Sequence, residues 1–185
     1  MANKEGKKFE EDFKNSVPDD VWKYRLRDST ASWGSDDTPK DGAEGIADNG
    51  DEKKGKTRFQ IENICDFELY YYGLFLVETK SHKDKSLPHK EFLYQSGKKK
   101  GEIKHLYELV AAQAFGIVSV VIINMRDVEE TYALHADDVL DHILHSGIKS
   151  IPIAYMRECG YRLKAEKKRT RWRYDIKDLI ANIRN

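Results

Sequence analysis

The sequence has few of the features that mark secreted or membrane proteins. Its 185 residues include two cysteines, Cys65 and Cys159, which show neither paired spacing nor a metal-finger pattern. No segment resembles a signal peptide, and no apolar run approaches the roughly 20 residues that span a bilayer. We therefore expect a protein of a reduced intracellular compartment, the cytoplasm, with no membrane association.

The chain also has no net charge, since 32 basic residues balance 32 acidic ones. This argues against indiscriminate binding to polyanions, but the charge is unevenly distributed. Residues 36–52 hold seven acids and one base, whereas 83–104 hold seven bases and three acids and 157–173 hold eight bases and two acids. A ligand responds to such local fields rather than to the net charge.

Hydrophobic periodicity predicts alternating helices and strands. Helices are expected at 3–15, from Ile103 to Gly116, from Val139 to Gly147 and after Asp175, and strands at 22–26, 58–70, 74–81, 117–125 and 132–134, with weaker ones at 151–155 and 161–163. The fold class is α/β (α+β) with a mixed central sheet flanked by helices. We expect a single domain over 1–185 with a long, flexible, Gly/Asp-rich insertion at about 28–57, because periodicity is absent there.

The segment NICDFELYYYGLFLVETKS, residues 63–81, places three charges in the most strand-like part of the chain. The loop Tyr71–Gly73 suits a three-residue hairpin connection whose third position is left-handed, a conformation open to glycine. Tyr70 then pairs with Leu74, and Asp66 lies directly opposite Glu78. Lys80, two residues further, shares the face of Glu78.

Two facing carboxylates repel each other unless a cation lies between them. Mg²⁺ prefers carboxylate oxygens and often takes a substrate phosphate as a further ligand, and a nearby lysine can neutralise charge that grows in a phosphoryl transition state. The pattern therefore fits metal-assisted phosphodiester hydrolysis. It also fits a plain cross-strand ion pair between Asp66 and Lys80 on a solvated face, with Glu68 and Glu78 as neighbours.

The segments KKFEEDF, NICDFELYYYGLFLVETKS and GIVSVVIINM together resemble the PD-(D/E)XK nuclease superfamily. Within it, they are most similar to the RecU-type Holliday-junction resolvases, in order and spacing, over about residues 4–165. The resemblance implies a restriction-endonuclease-like fold, with Asp66 and Glu78 as metal ligands, Lys80 as the catalytic lysine and Glu10 as an acidic residue reaching the same site. The family carries a His-Gln pair near the helix that follows the basic loop; here the glutamine is absent beside His105.

Basic residues in three places are candidates for DNA contact. Two precede the insertion, three follow the candidate site and three lie in KKRTRWRYD (167–175), where a strand would put the arginines on one face. These residues are Arg25, Arg27, His82, Lys83, Lys85, Arg169, Arg171 and Arg173. A separate pair, His142 and His145, has metal-like spacing, but a solvated helical face is the simpler interpretation.

The resemblance implies a Mg²⁺-dependent endonuclease that resolves Holliday junctions in DNA recombination and repair, with Mn²⁺ as a substitute. Branched DNA, the four-way junction, is the expected partner, and symmetric nicking favours a homodimer. Two alternatives stay open: another nuclease of the superfamily, of restriction or repair type, and a catalytically silent DNA-binding protein of the same fold.

Overall fold

The computed structural model describes residues 4–26, 63–95 and 97–184, and the expected insertion at about 28–57 lies outside them. Helices and strands alternate along these residues as the periodicity predicts. The helices are α1 Lys4–Lys14, α2 Leu106–Gln113, α3 Ala136–His145, α4 Ile153–Cys159 and α5 Ile176–Ile183. The strands are β1 Trp22–Arg25, β2 Phe67–Tyr70, β3 Leu74–His82, β4 Ser86–Pro88, β5 Val118–Met125, β6 Glu130–His135, β7 Ser150–Pro152, β8 Tyr161–Arg162, β9 Ala165–Lys168 and β10 Arg171–Tyr174.

A mixed six-stranded sheet forms the centre, in the order β1-β2-β3-β5-β6-β8. β3 and β5 run parallel, from Phe75 opposite Val118 to His82 opposite Met125, and the other neighbours are antiparallel. β5 is mostly apolar and buried along nearly its whole length, because both faces of the sheet are covered. The expected mixed sheet flanked by helices is confirmed.

Alternate residues of β3 serve two separate cores. Phe75 and Val77 join the aromatic side chains of α1 and the apolar side of α5, on what we call the α1 face. Leu76 joins residues of α2 and α3 on the opposite side, the α2 face. Side chains at even positions of β3 therefore point to the α2 face, which fixes the direction of Glu78 and Lys80.

The β2–β3 hairpin has the expected register, from Tyr70 opposite Leu74 to Phe67 opposite Val77. The expected left-handed glycine is wrong, because Tyr72 takes that conformation (φ 52°) and Gly73 does not. A Cβ at Gly73 would lie 3.0 Å from the far end of the Arg184 side chain, whose guanidinium donates to the Tyr71 carbonyl.

Several further expectations need correction. β1 is exposed along its whole length rather than half-buried, since it is an edge strand whose described neighbours lie on one side. The weak strand expected at 151–155 is β7 followed by α4. The basic segment 83–104 contains β4 and a short 3-10 helix, His89–Phe92, in which His89 and Phe92 are buried. Part of the strand expected at 58–70 lies outside the described residues, and β2 begins at Phe67.

Asp175 caps α5 as expected, since its side chain accepts from the backbone N–H of Asp178 at 3.0 Å. None of the described helices has the length and apolar character that crossing a bilayer requires.

Candidate active site

Asp66 lies immediately before the first residue of β2, beside β3. Its N–H donates to the Val77 carbonyl at 3.0 Å, and its own carbonyl accepts from Leu26 N–H at 3.0 Å. The ladder between the two strands stops at the Phe67–Val77 pair, so the expected pairing of Asp66 with Glu78 is not part of it. The predicted register is right, but it ends before it reaches the two acids.

The Asp66 carboxylate instead binds the residue after Glu78. Its Oδ2 accepts from Thr79 N–H at 2.7 Å and from Thr79 Oγ1 at 2.6 Å. The Asp66 carboxylate thus accepts a hydrogen bond from the β3 backbone that the carbonyl of a paired strand residue would otherwise accept. These two bonds hold Asp66 against the segment that carries Glu78 and Lys80.

Glu78 and Lys80 both point to the α2 face and form an ion pair with each other. Their side chains are 16% and 22% exposed, so both charges are mostly removed from water. Lys80 Nζ also lies 5.8 Å from the centre of the Phe92 ring, within the range of a cation–π contact. Glu78 and Lys80 therefore lie together, and Asp66 is bonded to Thr79, the residue between them in the chain.

Burial is the main influence on Glu78 and raises its pKa to about 7, with Asp66 adding to the shift and Lys80 opposing it. For Lys80, burial alone lowers the pKa, but the charges of Glu78 and Asp66 outweigh it and raise the pKa. Lys80 stays cationic at neutral pH. A buried carboxylate that is poised near neutrality beside a fixed cation is typical of functional sites.

A small pocket surrounds this pair and brings in residues that the motif did not indicate. It is lined by Glu78, Lys80, Glu91, Phe92, Lys104, His105, Leu106 and Leu109. His105 has a left-handed backbone (φ 43°) immediately before α2, and such strain in a residue other than glycine is frequent at functional sites. Glu91 and Lys104 carried no signal in the sequence beyond membership of a basic segment.

Glu10 is placed on α1 in an ion pair with Arg25, whose guanidinium lies 5.9 Å from the Phe67 ring centre. Glu10 is not among the described residues that line the pocket around Glu78 and Lys80. Its expected role at the same site stays a prediction.

The other predicted DNA-contacting residues occupy different surroundings. His82 lies 3.3 Å from Asp84, and Lys83 and Lys85 are exposed. Arg169 sits in the turn between β9 and β10 with a left-handed backbone (φ 56°), so the strand that would align three arginines contains only Arg171 and Arg173. Arg27 lies outside the described residues.

Arg171 forms ion pairs with two acidic residues of helix α1. Its guanidinium contacts Glu11 at 2.7 Å and the buried Asp12 at 3.2 Å. Asp12 also accepts from the N–H of Trp172 at 3.2 Å. Arg171 therefore joins α1 to β10, whereas Arg173 is exposed.

Histidines outside the pocket also differ from expectation. His142 is buried rather than solvated, and its Nδ1 lies 3.2 Å from Nε2 of His89. His145 is exposed beside Asp141. Among the described residues, no three His, Cys, Asp or Glu side chains are grouped so as to hold a metal.

No protein-family model matches the chain. Two curated proteins named Holliday junction resolvase RecU, from Streptococcus pneumoniae strains Taiwan19F-14 and CGSP14, are each 31% identical to it over 111 residues, which is 58% of this chain and 51% of the relative. Over that part, the chain is a distant homologue of RecU. It spans about half the length of the curated relatives that it matches.

Proposed function

We propose that this protein is a metal-dependent, structure-selective DNA endonuclease of the PD-(D/E)XK superfamily that resolves four-way junctions by phosphodiester hydrolysis. The observation that carries the proposal is the mostly buried Glu78–Lys80 pair, with the charge of the Thr79-bound Asp66 acting on both members. The distant homology to RecU supports the choice of substrate.

The donor set fits a hard divalent cation. Mg²⁺ is usually held by one or two carboxylates and completes its shell with waters and substrate phosphate, so Asp66 and Glu78 suffice without a third acid. Mn²⁺ takes the same ligands. When bound, such an ion would polarise the phosphodiester and lower the pKa of the water that attacks it.

The chain's own residues divide the remaining work. Asp66 is oriented by Thr79, so one carboxylate oxygen is fixed before any ligand arrives. Lys80, mostly buried and cationic, is proposed to neutralise negative charge on the phosphoryl oxygens. Glu10 is proposed to act from α1, and exposed bases including Lys83, Lys85 and Arg173 to contact the DNA backbone.

A four-way junction needs two symmetric nicks, so the proposed assembly is a homodimer with one site in each subunit. Light scattering on the purified protein, alone and with one junction per two chains, measures this directly. A species of two chains per junction is expected, and one chain per junction at saturation contradicts it.

Cleavage of a labelled four-way junction in Mg²⁺ or Mn²⁺ tests the proposal. Asp66→Asn, Glu78→Gln and Lys80→Gln should each lower the cleavage rate by about 10²-fold or more, while junction binding in EDTA is retained. The matched controls are Asp19→Asn and Lys7→Gln, which change exposed charges on and after α1 and should cleave like the unmodified protein.

Other outcomes separate the alternatives. Cleavage of linear duplex or flap DNA without cleavage of the junction favours a restriction or repair nuclease and removes the resolvase assignment. Binding without cleavage of any DNA favours a catalytically silent binding protein. If the Asp66 and Lys80 variants lose binding and melt at lower temperature, the three charges are better explained as a structural ion pair.

A further inference from the structure

A loop beside the candidate active site holds two lysines against one aromatic ring. Lys99 Nζ lies 5.3 Å and Lys104 Nζ 5.9 Å from the centre of the Tyr94 ring. Each ammonium is attracted to the ring, but the two positive charges repel each other. We call Tyr94, Lys99 and Lys104 the Tyr94 cluster.

The backbone fixes this arrangement. Tyr94 N–H donates to the Glu102 carbonyl and Gly101 N–H donates to the Tyr94 carbonyl, both at 2.9 Å. Gly101 has φ 87°, a left-handed conformation that closes the loop and returns the chain beside Tyr94. Lys104 N–H then donates to the Phe92 carbonyl at 2.7 Å. Both lysines are thus carried on a backbone that is already ordered.

The cluster adjoins the candidate active site. Lys104 lines the small pocket that contains Glu78 and Lys80. Tyr94 and Lys99 line a neighbouring open groove of about 530 Å³. Two carboxylates, Glu102 and Glu108, line this groove together with Lys99, and Lys98 and Lys100 flank Lys99 in the chain.

We propose that the Tyr94 cluster binds a backbone phosphate of the DNA strand next to the phosphodiester that is cleaved. This inference rests on the proposed nuclease function and adds a subsite to it. A phosphate that reaches both ammonium groups would accept a charge-assisted hydrogen bond from each. The Tyr94 ring keeps both lysines in place before the DNA arrives, which reduces the ordering cost of binding.

The test is the salt dependence of junction binding in EDTA, measured by fluorescence anisotropy between 50 and 200 mM KCl. Cleavage does not enter this measurement. Each lysine that contacts a phosphate contributes about 0.9 to the slope of log K against log salt. Lys99→Gln and Lys104→Gln should each lower the slope by about that amount, whereas Lys7→Gln, an exposed lysine on α1, should leave it unchanged.

A pair of substitutions at Tyr94 tests the role of the ring. Tyr94→Phe keeps an aromatic face and should bind the junction normally, whereas Tyr94→Leu should weaken binding roughly two- to fivefold, the value of one exposed cation–π contact. The melting temperature of each variant checks the fold. Lys99 is exposed, so its variant stays informative even if Lys104→Gln proves unstable.

The results separate this inference from the proposed function. Unchanged slopes for both lysine variants overturn the subsite even if the protein cleaves junctions, and so does an absence of DNA binding. Lowered slopes in a protein that cleaves no DNA support the subsite as a binding feature and overturn the nuclease proposal instead.

Discussion

The two basic segments of this chain have similar compositions but different structural settings. In 157–173, six cations form ion pairs with acids: Arg157, Arg162, Lys164, Lys167, Lys168 and Arg171. In 83–104, Lys104 lines the candidate catalytic pocket, and Lys99 and Lys104 approach the Tyr94 ring. A run of bases does not reveal how much positive charge it offers to a ligand, because the fold decides which acids it meets.

The largest expected difference between the two segments is in catalysis. Lys104→Gln, at the pocket that contains Lys80, should lower the rate of junction cleavage by about 10-fold or more, because it removes a cation beside the proposed catalytic pair Glu78 and Lys80. Lys168→Gln, which removes a cation paired with Glu166 on β9, should change the rate less than twofold. Single-turnover cleavage assays measure both, and equal rates would show that the two segments do not differ in this way.

Substitution of Asp12 should show how much the contacts between the segment 157–173 and helix α1 contribute to the free energy of unfolding. Its side chain is 3% exposed and accepts from Arg171 and from the Trp172 N–H. Asp12→Ala leaves both donors without this acceptor and should lower the free energy of unfolding by about 3 kcal/mol. Urea denaturation measures the change; Asp19→Ala, at an exposed position after α1, is the control, and a similar small effect from both would contradict the assignment.

Glu130 pairs with Arg157 and Arg162 of the same segment and makes the stability of the protein depend on pH. Burial alone would raise its pKa, but the Tyr132 hydroxyl and the guanidiniums of Arg157 and Arg162 outweigh this and lower the pKa. Because the folded pKa lies below the unfolded value, the stabilisation is present above about pH 4.3 and is lost as the pH falls through the folded pKa.

Glu130→Gln should therefore lower the free energy of unfolding at pH 7 by about 1.5–3 kcal/mol, and the difference from the unmodified protein should shrink below about pH 4. Urea denaturation at a series of pH values measures this. A deficit that is the same at pH 3 and pH 7 would show that Glu130 acts through packing rather than through its charge.

The smallest effect is expected where both partners are exposed. The side chains of Lys168 and Glu166 are 61% and 72% exposed and lie 3.4 Å apart. Because water screens such a pair, Lys168→Gln should change the free energy of unfolding by less than about 0.5 kcal/mol. Thermal melting at low and high salt checks this, and a clearly larger loss would mean that the β9–β10 hairpin depends on its surface charges.

The candidate site shows which structural features could be predicted from the sequence and which could not. The alternation along β3 predicts that Glu78 and Lys80 share a face, and the hairpin loop predicts the register, because both depend on backbone geometry within a few residues. The expected pairing of Asp66 with Glu78 does not form part of the ladder, which ends at Phe67, and the Asp66 carboxylate binds Thr79.

Histidine burial was harder to predict. His142 follows a helical pattern that suits an exposed face, and His89 lies in a basic segment, yet the two rings meet in the interior. The two residues are 53 apart in sequence, so the residues that neighbour each of them in the chain do not indicate that their rings meet. The same difficulty applies to three residues of the pocket, Glu91, Lys104 and His105. A 3-10 helix and the start of α2 bring them to the pocket from separate parts of the chain.

The sequence by itself determined the order of helices and strands around the central strands, the hairpin register and the shared face of Glu78 and Lys80, because these follow from short-range periodicity and turn geometry. Only the tertiary structure decided which charges are buried, which are paired and where the ladder beside Asp66 ends. Those properties depend on contacts between residues far apart in the chain, such as Arg171 with Asp12, and no local pattern encodes them.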